Sequence, residues 1–160
     1  MESSSIVFPA SPTRSSIAVD AGTHPAKATE RLPFTIRRVD TEDSLMKAVQ
    51  IRHAAYARHV PEFARTLAAP ETSDYEDDAI VLLAESKLDG SPIGTARIQT
   101  NFHRALHVED SIALPSWLQG RRLAEVTRLG IGEGRIGRVV KIALIKASEV
   151  VEAVKAVCYR

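Results

Sequence analysis

Charged side chains interrupt two stretches of this chain that otherwise read as apolar strands. Residues 123–131 run Leu-Ala-Glu-Val-Thr-Arg-Leu-Gly-Ile, with Glu125 and Arg128 embedded in them. Residues 92–99 run Pro-Ile-Gly-Thr-Ala-Arg-Ile-Gln and carry Arg97 in the same way. Ionised groups are seldom left inside a strand unless they are paired or used. One acid and two guanidiniums on neighbouring strands therefore have the composition of a polar site. The competing reading is an internal ion pair that only sets register. Spacing adds a condition. Glu125 and Arg128 are three residues apart, so a regular strand points them to opposite faces. Either they serve different surfaces or a bulge re-aims one of them.

A second candidate lies just downstream, where Gly132-Glu-Gly134-Arg-Ile-Gly137 precedes a long amphipathic stretch. A strand, a glycine-rich turn and a helix N-terminus leave several backbone N–H groups without intrahelical partners, which suits an anion. Arg135 and Arg138 add positive charge there, so a diphosphate or a phosphopantetheine group fits the composition. The spacing also matches the G-x-G-x-x-G dinucleotide fingerprint. That fingerprint needs a second parallel strand ending in an acid about 20 residues on. Here that distance falls inside the helix or just beyond it, and the preceding strands form a hairpin meander, so a Rossmann domain is rejected. The alternative is that the glycines are only a turn.

Several elements must hold these residues. Residues 34–39 alternate apolar and polar, as a half-buried first strand does. Asp40 and Thr41 offer a cap, with Glu42 and Asp43 in the first turn of a helix that runs to about His59 and is stopped by Pro61. Leu45, Val49, Arg52 and Tyr56 share one face of it. Arg52 is then either turned inward or packed along its stem with its head in water. Residues 60–78 form a connection that closes in the acidic run Asp74-Tyr-Glu-Asp77-Asp. Residues 79–88 and 93–100 form a hairpin around Asp89-Gly-Ser-Pro. In the return strand Ile93, Thr95 and Arg97 point one way, and Gly94, Ala96 and Ile98 the other. Residues 101–120 look irregular. Val140, Leu144, Ala147, Val151, Val154 and Cys158 make the buried stripe of the last helix.

The 160 residues fit one domain, expected over 33–160 and preceded by a disordered tail at 1–32 that has no apolar core of a signal peptide. A net charge of +1 gives no argument for nucleic acid. The single cysteine excludes an intramolecular disulfide and fits a reducing compartment. The five histidines make no metal pattern, so no metal is expected. Residues 139–157 are apolar but interrupted by Lys141, Lys146, Glu149, Glu152 and Lys155, which excludes a membrane span. A cytoplasmic location follows as the expectation.

The order strand, helix, hairpin, strand, glycine-rich loop and helix resembles the first two-thirds of the GNAT acyltransferase fold. The polar residues resemble one branch of it, the N-acyl amino acid synthases and the related acyl-homoserine-lactone autoinducer synthases. The matches are Arg52 and Tyr56, Asp74 and Asp77, Gly90, Gly94 and Arg97, and Glu125 with Arg128 in Glu-Val-Thr-Arg-Leu. They cover roughly residues 34–155. The resemblance implies an α+β (α/β three-layer) fold with a mixed, mostly antiparallel sheet flanked by helices and without the last strands. The helix after Arg138 and the edge strand are then expected to be incompletely covered.

The implied activity moves a long-chain acyl group from an acyl carrier protein thioester to the amine of an amino acid. No bound cofactor is implied; the phosphopantetheine-linked thioester is the donor substrate. Glu125, Arg97 and Arg128 take the catalytic roles, with Glu125 removing a proton from the incoming ammonium. Arg52, Tyr56, Asp74 and Asp77 bind the acceptor or order the 60–78 loop. Gly132, Gly134, Arg135, Gly137 and Arg138 receive the pantetheine arm. Autoinducer synthases usually carry a tryptophan after the first helix, where Pro61-Glu-Phe63 stands here, which favours the amino acid branch. The alternatives are an autoinducer synthase and a non-catalytic fragment that binds an acyl carrier protein or an acyl chain.

Overall fold

The computed structural model describes residues 32–158, with side chains as far as Val151. The expected tail lies outside the described residues except for Leu32, which packs on the core. The side chains of Val154 and Cys158 lie outside them too.

The elements are β1 (Phe34–Arg38), α1 (Glu42–Ala57), α2 (Pro61–Thr66), a 3-10 turn (Thr72–Asp74), β2 (Ala79–Ser86), β3 (Pro92–Thr100), α3 (His107–Ser111), β4 (Ala124–Ile131) and α4 (Gly137–Cys158). The four strands form one sheet in the order β1-β2-β3-β4, and every pairing is antiparallel. The sheet among the described residues is therefore wholly antiparallel rather than mixed. Each strand follows its spatial neighbour in sequence, which antiparallel pairing permits without a crossover.

Two helices cover opposite faces. Alternation sends Ile80, Leu82, Ala84, Ala96 and Ile98 to one side, where they pack on Val140 and Leu144 of α4. It sends Val81 and Leu83 to the other, against Leu45, Ala48 and Val49 of α1. Thr95 and Arg97 lie on the α1 side, as alternation requires. Ile93 does not join them: a register shift opposite Ala84 and Glu85 turns it into the α4 core.

Local chemistry sets the helix ends. The Thr41 hydroxyl accepts from the Ser44 N–H, and the Ser44 hydroxyl accepts from the Thr41 N–H, each at 3.2 Å. Pro61 both stops α1 and opens α2, since its fixed φ suits a first helical turn. Two glycines set how closely the helices approach. A Cβ on Gly94 would stand 2.6 Å from Val140 Cγ1 of α4, and one on Gly130 would stand 3.0 Å from the Arg52 Cα of α1.

The outer side of α4 exposes Val139, Ile142, Ile145 and Val150, and β4 is an edge strand with Val126 exposed. Among the described residues no helix is long and apolar enough to cross a membrane, and no group of three or more His, Cys, Asp or Glu is placed to hold a metal ion.

Candidate active site

The geometry turns on one irregularity in β4. Thr95 of β3 pairs with Gly130 while Arg97 pairs with Thr127, so β4 carries an extra residue opposite Ala96. At this bulge Arg128 adopts φ +53°, the only positive φ at a described residue other than glycine. A left-handed backbone at an L-residue costs about 1–2 kcal/mol. The reorientation brings the Arg128 head to the α1 side of the sheet, which Arg97, Thr127 and Glu125 also face.

Five charged groups from four elements meet there. Arg52 of α1 is 2% exposed, Arg97 of β3 4% and Asp74 0%. Arg52 clamps the Asp74 carboxylate with both terminal nitrogens, at 3.0 and 2.8 Å. Arg97 Nη1 donates to Asp74 Oδ1 and to Glu71 Oε2, each at 3.1 Å, and its Nε donates to Thr127 Oγ1 at 3.3 Å. Arg128 holds Glu71 in a two-pronged contact, Nε to Oε2 at 2.7 Å and Nη2 to Oε1 at 2.8 Å. The Arg128 guanidinium lies 5.1 Å from the centre of the Phe63 ring, which meets Tyr56 edge-on at 5.6 Å. The Asp74 carboxylate also accepts the Glu71 N–H at 2.8 Å and so closes the 3-10 turn that presents both acids.

The electrostatics follow from these contacts. The hydrogen bond from Arg128 lowers the Glu71 pKa; burial opposes this, and the charges of Arg97, Arg128 and Arg52 reinforce it. Burial alone would raise Asp74, but Arg52, the Glu71 N–H and the charge of Arg97 outweigh it and hold the carboxyl below its usual value. Arg128 is raised, first by its hydrogen bond to Glu71. Both acids are therefore ionised near neutral pH. Three guanidiniums against two carboxylates leave one net positive charge.

An open cleft of about 430 Å³ adjoins the cluster, lined by Ser73, Arg97, Gln99, Arg104, His107 and Arg128 among others. Nη2 of Arg97 and Nη1 of Arg128 make no hydrogen bond among the described residues, although both side chains line this space. Glu125 lies on the same side of the sheet, directly across from Gln99, and accepts only a long bond from the Val108 N–H at 3.4 Å. It stands about 7 Å along the strand from Thr127. Glu125 is thus beside the ion cluster without being part of it.

The other expected residues divide. Arg52 is turned inward, and Tyr56 supports Phe63 under Arg128. Asp77 does not join Asp74: it is exposed, beside Tyr75, Glu76, Asp78 and His103. The second acid of the cluster is Glu71, which sequence reasoning passed over. Its signal was available, since Glu71-x-x-Asp74 after Pro70 places two carboxylates on one side of a single turn. The glycine-rich loop is separate from the cluster. Gly132 donates its N–H to the Ile93 carbonyl at 2.9 Å and Gly137 donates to Gly134 at 3.2 Å, so those two amides already have partners. Gly134, Arg135 and Arg138 are exposed. Between this loop and the bulge runs a groove of about 260 Å³ lined by Ala55, Tyr56, Val60, Leu129, Ile131 and Lys141 with Arg58 and His59.

No protein-family model, curated protein or solved structure matches this chain.

Proposed function

We propose that this chain is a GNAT-type acyltransferase of the N-acyl amino acid synthase kind, transferring an acyl group from a carrier-protein thioester to the amine of an amino acid. The observation that carries the reading is the β4 bulge at Arg128. It brings Arg128 to the side of the sheet that Arg97 and Glu125 face, beside a cleft with unpartnered guanidinium nitrogens. Without it, β4 would split its acid and its base between two faces.

The proposed chemistry uses the chain's own groups in order. The acceptor carboxylate binds Nη2 of Arg97 and Nη1 of Arg128, where one uncompensated positive charge remains. Its ammonium then faces Glu125, which takes a proton and frees the nitrogen lone pair. The amine attacks the thioester carbonyl, and β4 backbone N–H groups near the bulge offset the charge on the carbonyl oxygen. As the tetrahedral adduct collapses, the C–N bond is retained and the C–S bond breaks. The second proton lost by the nitrogen goes to the departing thiolate. The acyl donor runs along the Leu129–Ile131 groove, whose apolar floor suits a hydrocarbon or pantetheine arm.

Acylated carrier protein and a mixture of amino acids, with mass detection of N-acyl product, test the reading. Glu125→Gln is expected to lower turnover by about 10²–10⁴-fold. Product formation unchanged in Glu125→Gln removes that residue from the chemistry. Absence of any amide product with the unaltered chain overturns the acyl-transfer reading. A lactone product instead assigns it to the autoinducer branch, and carrier binding with an intact thioester makes it a binding protein.

A further inference from the structure

The cleft has a second chemical character opposite its guanidiniums, and Gln99 supplies it. Gln99 is 7% exposed, one same-side position along β3 from Arg97 and directly across from Glu125. Its Nε2 donates to Glu76 Oε2 at 3.1 Å, and the other oxygen of that carboxylate receives Arg104 Nη1 at 2.7 Å. An ionised carboxylate accepts hydrogen bonds and donates none. The Gln99 amide therefore has one satisfactory orientation, with NH2 toward Glu76 and the carbonyl oxygen away from it.

That oxygen has no partner among the described residues. Among the described residues, the only fully enclosed side-chain nitrogen or oxygen without a partner is Arg52 Nε. Gln99 Oε1 must then reach open space, and the space that Gln99 lines is the cleft it shares with Arg97 and Arg128. The cleft thus sets donors without protein partners, on Arg97 and Arg128, against an oriented acceptor on Gln99, with the exposed Asp110 carboxylate also on its wall. Same-side neighbours on a strand are about 7 Å apart, a gap on the scale of one α-amino acid.

We infer that Gln99 is a binding residue for the acceptor. Its oriented carbonyl oxygen receives an N–H of the acceptor's amino group while the guanidiniums take the carboxylate, so the site selects a zwitterionic α-amino acid over a simple acid or a simple amine. The Glu76–Arg104 pair acts through Gln99 by fixing which end of the amide faces the cleft. The inference rests on the acyl-transfer reading only for the acceptor's later fate; the binding itself needs no donor.

Binding of glycine, acetate and methylamine to the ¹⁵N-labelled full chain, without donor, tests it by NMR. Glycine is expected to move the Gln99 side-chain amide signals as well as the arginine Nε signals, and acetate the arginine signals alone. Glycine should bind about tenfold more tightly than acetate or methylamine, the effect of one hydrogen bond to a charged group. Gln99→Leu should cut that advantage severalfold, to the part that Glu125 directly across from it supplies, and leave acetate binding within twofold. Glu76→Gln, at a half-buried position, permits the amide to flip and should reduce the advantage while Gln99 stays in place. Equal affinity for glycine and acetate in the unaltered chain, or an equal loss of both in Gln99→Leu, overturns the inference. The expected binding pattern with no amide product from acylated carrier upholds it and overturns acyl transfer instead.

Discussion

Arg128 offers a test in which the usual order of two substitutions reverses. In an ordinary strand glycine is less stable than alanine by roughly 0.5–1 kcal/mol, because it loses more backbone freedom on folding. At φ +53° the balance changes. Alanine keeps the steric cost of the left-handed backbone, about 1–2 kcal/mol, and glycine is free of it. Subtracting the entropic cost leaves Arg128→Gly more stable than Arg128→Ala by about 0.5–1 kcal/mol. Both variants fall below the unaltered chain, because both lose the Glu71 contact and the Phe63 stacking. The partners are 24% and 23% exposed, so the pair is assigned no more than about 1 kcal/mol, with a further 0.5–1 kcal/mol for the ring contact. Glu71 keeps Arg97 and Arg52 in reach, so neither variant strands a buried charge. Urea unfolding of the two variants side by side, with slopes compared to exclude denatured-state effects, measures the difference. In a melt it corresponds to about 2–4 °C. Arg128→Ala equal to or more stable than Arg128→Gly would refute the strained bulge, and with it the reason Arg128 shares a face with Arg97.

Further outcomes follow from the same contacts. Arg52→Met leaves the enclosed Asp74 carboxylate with Arg97 as its one cation and should cost about 3 kcal/mol in chemical denaturation, whereas Asp77→Asn at an exposed position should stay within about 0.5 kcal/mol. Glu71 and Asp74 have folded-state pKa values below their unfolded values near 4.3 and 3.9. Their stabilisation is therefore complete above about pH 5 and lost as pH falls through the lower folded values. Glu71→Gln should flatten the decline of the unfolding midpoint below pH 5. Gly94→Ala drives a methyl against Val140 and Leu144 and should cost about 1–3 kcal/mol of overpacking, read as a lower midpoint at unchanged slope.

What the sequence disclosed depended on how local the signal was. Capping at Thr41, the stop at Pro61 and the hairpin around Gly90 are set by residues within a few positions of one another, and each formed where those residues stand. The alternation placing Arg97 opposite Ala96 needed only a period of two. Ile93 broke that period because a register shift belongs to a pair of strands, and one strand's sequence does not contain it. The spacing of Glu125 and Arg128 posed the bulge as a choice; pairing with β3 decided it. Glu71 was missed for a related reason. Its role depends on a 3-10 turn that bends residues 71–74 over three arginines distant in sequence, and acids in a loop ordinarily point to water. The wholly antiparallel sheet needs no crossover, whereas the mixed sheet came from resemblance and not from any residue.

The clasp made by Glu71 and Asp74 lets one cluster hold the fold and still keep a surplus charge for the proposed ligand. Three guanidiniums this close would repel one another if left alone, and Arg52 and Arg97 are too enclosed for water to screen them. Full neutralisation by three carboxylates would remove the repulsion and also any attraction for an anion. Two carboxylates stop between these limits. The remaining positive charge falls to the guanidinium nitrogens that have no acid opposite them; Arg52 Nε is one of these but is fully enclosed, so those at the cleft belong to Arg97 and Arg128. Stability and the proposed binding are therefore divided within single side chains: Nη1 of Arg97 and the Nε and Nη2 of Arg128 anchor the turn, while Nη2 of Arg97 and Nη1 of Arg128 are left for the cleft. Adding an acid should expose this division. Ser73→Asp on the cleft wall, which Asp110 already lines, brings a further carboxylate beside the three guanidiniums, so acetate binding should weaken at least tenfold while the unfolding midpoint stays level or rises. Acetate affinity unchanged by that substitution would show that the surplus charge is not where the ligand binds.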